Sequence, residues 1–208
     1  MSNQSNDFCT PPELVQPIKE FFGGKIDLDP CSNKNSLVKA CTELMLPTNS
    51  LMQNWCKLGT TVFVNPPYAP YYLSEDGTLC LSASERKEYT GPARLIRYTI
   101  NTWLWKGKEE AKNGCELIYL IPARGAGSLV WQDIIFPYSD AICYLKKRTP
   151  FWENGEPCKG PDGTANPGTF DCALVYFGPQ YWEFKKHFSK LGYVLIQDMA
   201  LPEERLNS

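Results

Sequence analysis

Residues 61–64 form a short β-branched and aromatic run that is cut off by Asn65-Pro66-Pro67-Tyr68. Two consecutive prolines fix φ and offer no N–H, so neither helix nor sheet pairing continues through them. The chain is expected to leave a buried strand at Asn65 and turn a rigid corner there. The Asn65 amide oxygen, backbone carbonyls that no helix absorbs, and the ring of Tyr68 converge on that corner. Such a set suits a planar –NH2 group: two acceptors take its two hydrogens while the ring stacks on its flat substituent. Asn and Pro also make ordinary turns. The hydrophobic strand directly before them favours a site.

The rest of the chain alternates strand and helix signals. Thr10 reads as an N-cap, with Pro11 at the first helical position and Glu13 completing a capping box for a helix over 13–22. Positions 14, 15, 18, 21 and 22 place its apolar residues on one face, and Gly23-Gly24 ends it. A short strand ends sharply at Asp29-Pro30, and residues 37–46 are ambiguous. Further strands are predicted over 115–122, 140–146, 170–177 and 193–196, and helices over 93–113, 128–136 and 179–190. This alternation implies an α/β fold with a mainly parallel sheet covered on both faces, the last two strands making an antiparallel edge. One domain is expected over 1–208. Nothing periodic holds residues 69–92, which read as a long loop or insert hanging off the corner. The Gly- and Pro-rich residues 151–168 read as a second excursion.

Composition narrows the class. Of 208 residues 43% are hydrophobic and 21% charged, the proportions of a globular domain. No run approaches the roughly 20 apolar residues of a membrane span, and the polar start offers no signal-peptide core, so no membrane partner and a cytoplasmic location are expected. Nine cysteines are scattered without a C-x-x-C pair beside a single histidine, a pattern of unpaired thiols with no metal site. His187 reads as a packing or surface residue. The formal net charge is −2, yet basic residues cluster at Arg86, Lys87, Arg94, Arg97, Lys106 and Lys108, and again at Lys146, Lys147 and Arg148. Such clusters make either a solvated face or a local field for an anionic partner. There is no G-x-G-x-x-G, which leaves a dinucleotide enzyme unsupported.

Asn-Pro-Pro-Tyr after a hydrophobic strand resembles the motif of amino-methyltransferases, which act on adenine N6, cytosine N4 or glutamine amides. With Thr10-Pro11, Asp27-Leu28-Asp29-Pro30-Cys31 and Asn65-Pro66-Pro67-Tyr68 in this order, the chain resembles the phage N6-adenine DNA methyltransferases of Dam type. Trp55, Leu120-Ile121-Pro122-Ala123-Arg124 and Arg148-Thr149-Pro150-Phe151 extend the similarity over roughly residues 7–177.

The resemblance implies a Rossmann-like methyltransferase fold, S-adenosylmethionine as cofactor and DNA as partner, with the adenine flipped from a duplex or taken from a single strand. A bacterial host cell would be its setting if the gene is phage-borne. By the same resemblance Thr10, Pro11, Asp29, Pro30 and Cys31 belong to the cofactor site, and Asn65, Pro66, Pro67 and Tyr68 hold the target amine. Arg86, Lys87, Arg94, Arg97, Lys146, Lys147 and Arg148 are the candidate DNA contacts. Residues 69–92 are then expected to move until DNA closes them over the base. Two departures stand out. Phe8 replaces a usual tryptophan, and Asn49-Ser50 stands where an acidic residue for the ribose is common, leaving Glu43 as a substitute. A methyltransferase for cytosine N4 or a protein glutamine, and a module that binds cofactor or DNA without turnover, are the competing readings.

Overall fold

The computed structural model describes residues 8–46, 48–159, 163 and 170–197. Helix α1 (Pro12–Phe21) leads to β1 (Leu28–Asp29) and β2 (Thr42–Glu43), and two 3-10 turns (Ser50–Met52, Trp55–Lys57) precede β3 (Thr61–Val64). Next come β4 (Tyr71–Ser74), β5 (Cys80–Ser82), α2 (Ala83–Glu88), β6 (Leu95–Tyr98), α3 (Ile100–Lys112) and β7 (Glu116–Pro122). A π-helical stretch (Val130–Ile135) runs into α4 (Phe136–Tyr138) and β8 (Ala141–Leu145). The chain closes with β9 (Trp152–Glu153), β10 (Glu156–Pro157), β11 (Cys172–Phe177), α5 (Tyr181–Phe188) and β12 (Gly192–Ile196).

Seven strands form one sheet in the order β12-β8-β11-β7-β3-β1-β2. The four strands β2, β1, β3 and β7 pair in parallel, whereas β11 is antiparallel to both its neighbours and β12 is antiparallel to β8. Both closing strands are antiparallel, as expected, but β8 lies between them, so β11 is inside the sheet and of the two only β12 is at an edge. All six residues of β11 are buried, as an interior strand covered on both faces requires.

Alternation along the strands splits the core in two. Val62, Val64, Leu117, Tyr119 and Ile121 point to one face, where Trp103 and Leu104 of α3 and Trp131 and Ile135 cover them. Phe63, Ile118 and Leu120 point to the other, against Ile18 of α1 and Phe184 and Phe188 of α5. Gly107 sets the height of α3: a Cβ there would lie 2.1 Å from the Tyr119 hydroxyl, which donates to the Trp103 carbonyl at 2.7 Å. A glycine inside a helix costs about 0.5–1 kcal/mol relative to alanine, and here it admits the tyrosine.

Several local expectations are overturned. Helix α1 is capped by Pro11, with no side-chain cap, so Thr10 is not its N-cap. Residues 93–113 are not one helix: β6 precedes α3, because β6 finds β4 as a partner in a separate three-stranded sheet, β5-β4-β6. Within 69–92, that sheet and α2 replace the expected loop. The second excursion opens with a β9–β10 hairpin turning through Asn154 (φ 52°) and Gly155 (φ 83°), an Asn-Gly hairpin turn inside the Gly- and Pro-rich stretch. The rest of that excursion falls mostly outside the described residues. Cys56 and Cys115 form a disulfide, correcting the expectation of thiols throughout.

Candidate active site at the strand ends

Parallel strands β1 and β3 are adjacent, with Leu28 opposite Val62, so Asp29 and Asn65 both emerge at the carboxyl end of the sheet. A cavity of about 380 Å³ opens there. Its walls come from Phe8–Thr10, from Asp29 and the residues after it, from 44–46 and 48–50 beyond β2, and from the Asn65–Tyr68 corner. The cavity is within the usual size of small-ligand sites, about 300–1,000 Å³. Thr10, Asp29, Pro30, Cys31, Asn65, Pro66, Pro67 and Tyr68 all line it, while Pro11 lies behind as the cap of α1.

The corner is held by a hydrogen-bond chain. Asn65 Nδ2 donates to Thr10 Oγ1 at 3.1 Å, and the Tyr68 hydroxyl reaches Asn65 Oδ1 at 2.9 Å and the Leu120 carbonyl at 3.2 Å. The Asn65 oxygen expected to face a ligand is thus engaged by the tyrosine expected to stack on it. Two aromatic rings meet Tyr68 edge-on, Phe170 at 5.5 Å and Phe151 at 6.1 Å between centroids. Burial pushes the Tyr68 phenol well above its ordinary range, so it remains a donor.

Asp29 is 4% exposed, and its Oδ1 accepts from the Cys31 N–H at 3.0 Å. Burial pushes its carboxyl up to about 7, against the pull of that N–H, and the negative charge of neighbouring Glu43 adds to the rise. No salt bridge reaches Asp29 among the described residues. Among the described residues lining the cavity, no other aspartate, glutamate, lysine, arginine or histidine occurs. Glu43 stands beside Asp29 in register and has a buried carboxylate oxygen without a hydrogen-bond partner.

Three aromatics at the site escaped sequence reasoning. Tyr71 and Trp103 line the cavity, and Tyr98 stacks on Tyr71 at 5.4 Å while accepting from Asn49 Nδ2 at 2.9 Å. No motif marks them. Tyr71 and Tyr98 meet only because β4 and β6 pair with those residues opposite one another.

The basic residues divide. Arg86 and Lys87 are exposed on α2, and Arg97 is exposed on β6. Arg97 lies opposite Tyr72 in the β4–β6 register, and the Arg86 guanidinium lies 5.9 Å over the Tyr72 ring. Arg94 pairs with Glu75 at 3.2 Å. Lys146, Lys147 and Arg148 are exposed just beyond β8, at the same end of the sheet as Asn65, with Arg148 3.5 Å from Asp171. Lys106 pairs with buried Glu110, and Lys108 is buried 3.5 Å over the Tyr138 ring, so neither joins an exposed basic face. His187 packs against Phe21 and Phe188, with Nε2 2.8 Å from the Pro17 carbonyl. Among the described residues, Cys56, Glu110 and Cys115 are the group with metal-ligand spacing, but the two sulfurs are bonded to each other at the opposite end of the strands.

The family model described as DNA N-6-adenine-methyltransferase (Dam) matches residues 2–200. No curated protein and no solved structure matches the chain.

Proposed function

The chain belongs to the DNA N-6-adenine-methyltransferase (Dam) family and is an adenine-specific DNA methyltransferase; from that premise we propose that S-adenosylmethionine binds beside Asp29 and that the adenine enters at the Asn65 corner. The observation that carries this reading is the charge of the cavity. A buried carboxylate with no counter-charge is costly unless a cationic ligand completes it, and among the described residues none pairs with Asp29. The ammonium of the cofactor's methionine moiety is such a cation. When bound, this cofactor supplies an electrophilic methyl group on a sulfonium. Pro30 and Cys31 complete its surroundings in this reading, Pro11 lies behind the cavity wall, and Glu43 is the acid nearest to serve the ribose. We read the sheet, with its site at the carboxyl ends of parallel strands, as Rossmann-like, and residues 1–208 as one methyltransferase domain.

The lone pair of an aromatic amine is delocalised into its ring, so the nitrogen attacks only as it becomes pyramidal. Asn65 Oδ1 and the Pro66 carbonyl are fixed acceptors that favour that geometry and meet the charge it develops. Tyr68 exchanges its hydroxyl contact with Asn65 for the incoming amine, and its ring replaces the stacking lost when adenine leaves a helix. Pro66 and Pro67 keep the corner rigid, so both acceptors are in place before the reaction. Alignment of this kind can be worth about 7–11 kcal/mol of barrier. Arg86, Lys87, Arg94, Arg97, Lys146, Lys147 and Arg148 supply phosphate contacts, which position DNA without reading its sequence.

Incubation with methyl-labelled S-adenosylmethionine and mixed-sequence DNA, followed by digestion to nucleosides, tests the whole reading. Label is expected in N6-methyladenine. Label in no nucleoside, or failure of calorimetry to detect the cofactor, would overturn it.

A further inference from the structure

We infer that Thr10 is a positioning residue for Asn65 rather than a ligand of the cofactor, an inference that rests on Asn65 holding the target amine. Thr10 is 3% exposed, and its Oγ1 accepts from Asn65 Nδ2 at 3.1 Å, across 55 residues of chain. A carboxamide has one donor end and one acceptor end. Fixing the nitrogen therefore fixes where the oxygen points, and Oδ1 is turned toward Tyr68.

Thr10 is itself held firmly. On one side Cys9 exchanges two backbone hydrogen bonds with Trp152, at 2.7 and 3.0 Å, and on the other Pro11 and Pro12 fix φ. The hydroxyl is thus carried on a short brace between the β9 hairpin and α1. Its contact aims at Asn65 and makes the acceptor a preorganised one. Asn65 alone, beyond the last paired residue of β3, has a side chain free to rotate about two bonds. Misplacement of a reacting group by about 1 Å can cost on the order of 10²-fold in rate, so the brace has a measurable consequence.

Thr10→Val keeps the shape and removes the hydroxyl, whereas Thr10→Ser keeps the hydroxyl. At saturating S-adenosylmethionine and mixed-sequence DNA, Thr10→Val is expected to lower the single-turnover rate by about 10²-fold with unchanged cofactor affinity, and Thr10→Ser to restore most of it. In an Asn65→Ala background Thr10→Val should add no further loss, since the two residues act as a unit. Loss of cofactor affinity with an intact saturated rate would make Thr10 a cofactor ligand and overturn the inference, as would additive losses in the cycle. A readout independent of turnover is the Asn65 side-chain NH2 pair by NMR, assigned by its disappearance in Asn65→Ala. The two protons should move in Thr10→Val and stay in Thr10→Ser, and unmoved signals would overturn the contact. If Thr10→Val does not fold, Thr10→Ser carries the test: a serine variant with the rate loss expected of valine also overturns it. A wild-type enzyme that transfers no methyl group defeats the reading of Asn65 first, seen in the control before any variant.

Discussion

Tyr68 lies three residues beyond Asn65, and its hydroxyl meets the Asn65 amide oxygen at 2.9 Å while also facing the Leu120 carbonyl at 3.2 Å. A phenol has one hydrogen, so these acceptors share it, and an incoming amine competes for only one of them. A neutral hydrogen bond is worth about 0.5–1.5 kcal/mol net, so this exchange is a small barrier. Tyr68→Phe should therefore keep methyl transfer within about tenfold of wild type. Tyr68→Ala also loses the ring, where base stacking is worth about 1–3 kcal/mol, and should fall further in both DNA affinity and rate. Equal losses in the two variants would assign the role to the hydroxyl instead.

Asn65→Ala is expected to abolish most methyl transfer and leave cofactor binding nearly intact, since Asn65 stands at the corner after β3 and the proposed partner of the cofactor's ammonium, Asp29, on a different strand, β1. Removal of one preorganised polar contact typically costs on the order of 10²–10³ in rate. Single-turnover assays beside cofactor calorimetry separate the two effects, and a wild-type rate would reduce the corner to a turn.

The Asp29 carboxyl, raised to about 7 by burial, sets a pH dependence of definite sign. Between about pH 4 and 7 the folded protein retains a proton there that the unfolded chain has lost, so this group makes the unliganded fold less stable as pH rises through that window. A cationic ligand requires the ionised form. Affinity for S-adenosylmethionine should thus rise by about tenfold per pH unit below 7 and level off above it, and Asp29→Asn should be weak and flat. Calorimetry at pH 6, 7 and 8 checks both; a flat wild-type profile would place the cofactor's cation elsewhere.

Arg86 and Arg97 flank Tyr72 on the outer face of the small sheet, whereas Arg94 is occupied by Glu75. Replacing Arg86 and Arg97 together with alanine should weaken binding to every DNA sequence alike and flatten the slope of log K against log salt by roughly two units. An unchanged slope would leave Lys87, Arg94, Lys146, Lys147 and Arg148 as the phosphate contacts.

Much of this was legible in local chemistry. The diproline after a β-branched run ends β3 whatever surrounds it, because missing N–H groups and a fixed φ are properties of the residues themselves. The apolar runs at 115–122 and 170–177 likewise announce buried strands, although their order and direction are silent: β11 enters between β7 and β8 through pairings on both edges. Leu95 and Ile96 fit a helical stripe as well as a strand, and only β4, lying antiparallel beside them, decides for a strand. The same holds inside the site. Asn65 and Tyr68 were visible as a motif, but the Thr10 hydroxyl behind Asn65, the Leu120 carbonyl at Tyr68 and the Tyr71–Tyr98 stack depend on contacts across as many as 55 residues. Backbone preferences act within a few residues and can be read along the chain. Side-chain hydrogen bonds between distant segments, at about 3 Å, exist only once the sheet has brought those segments together.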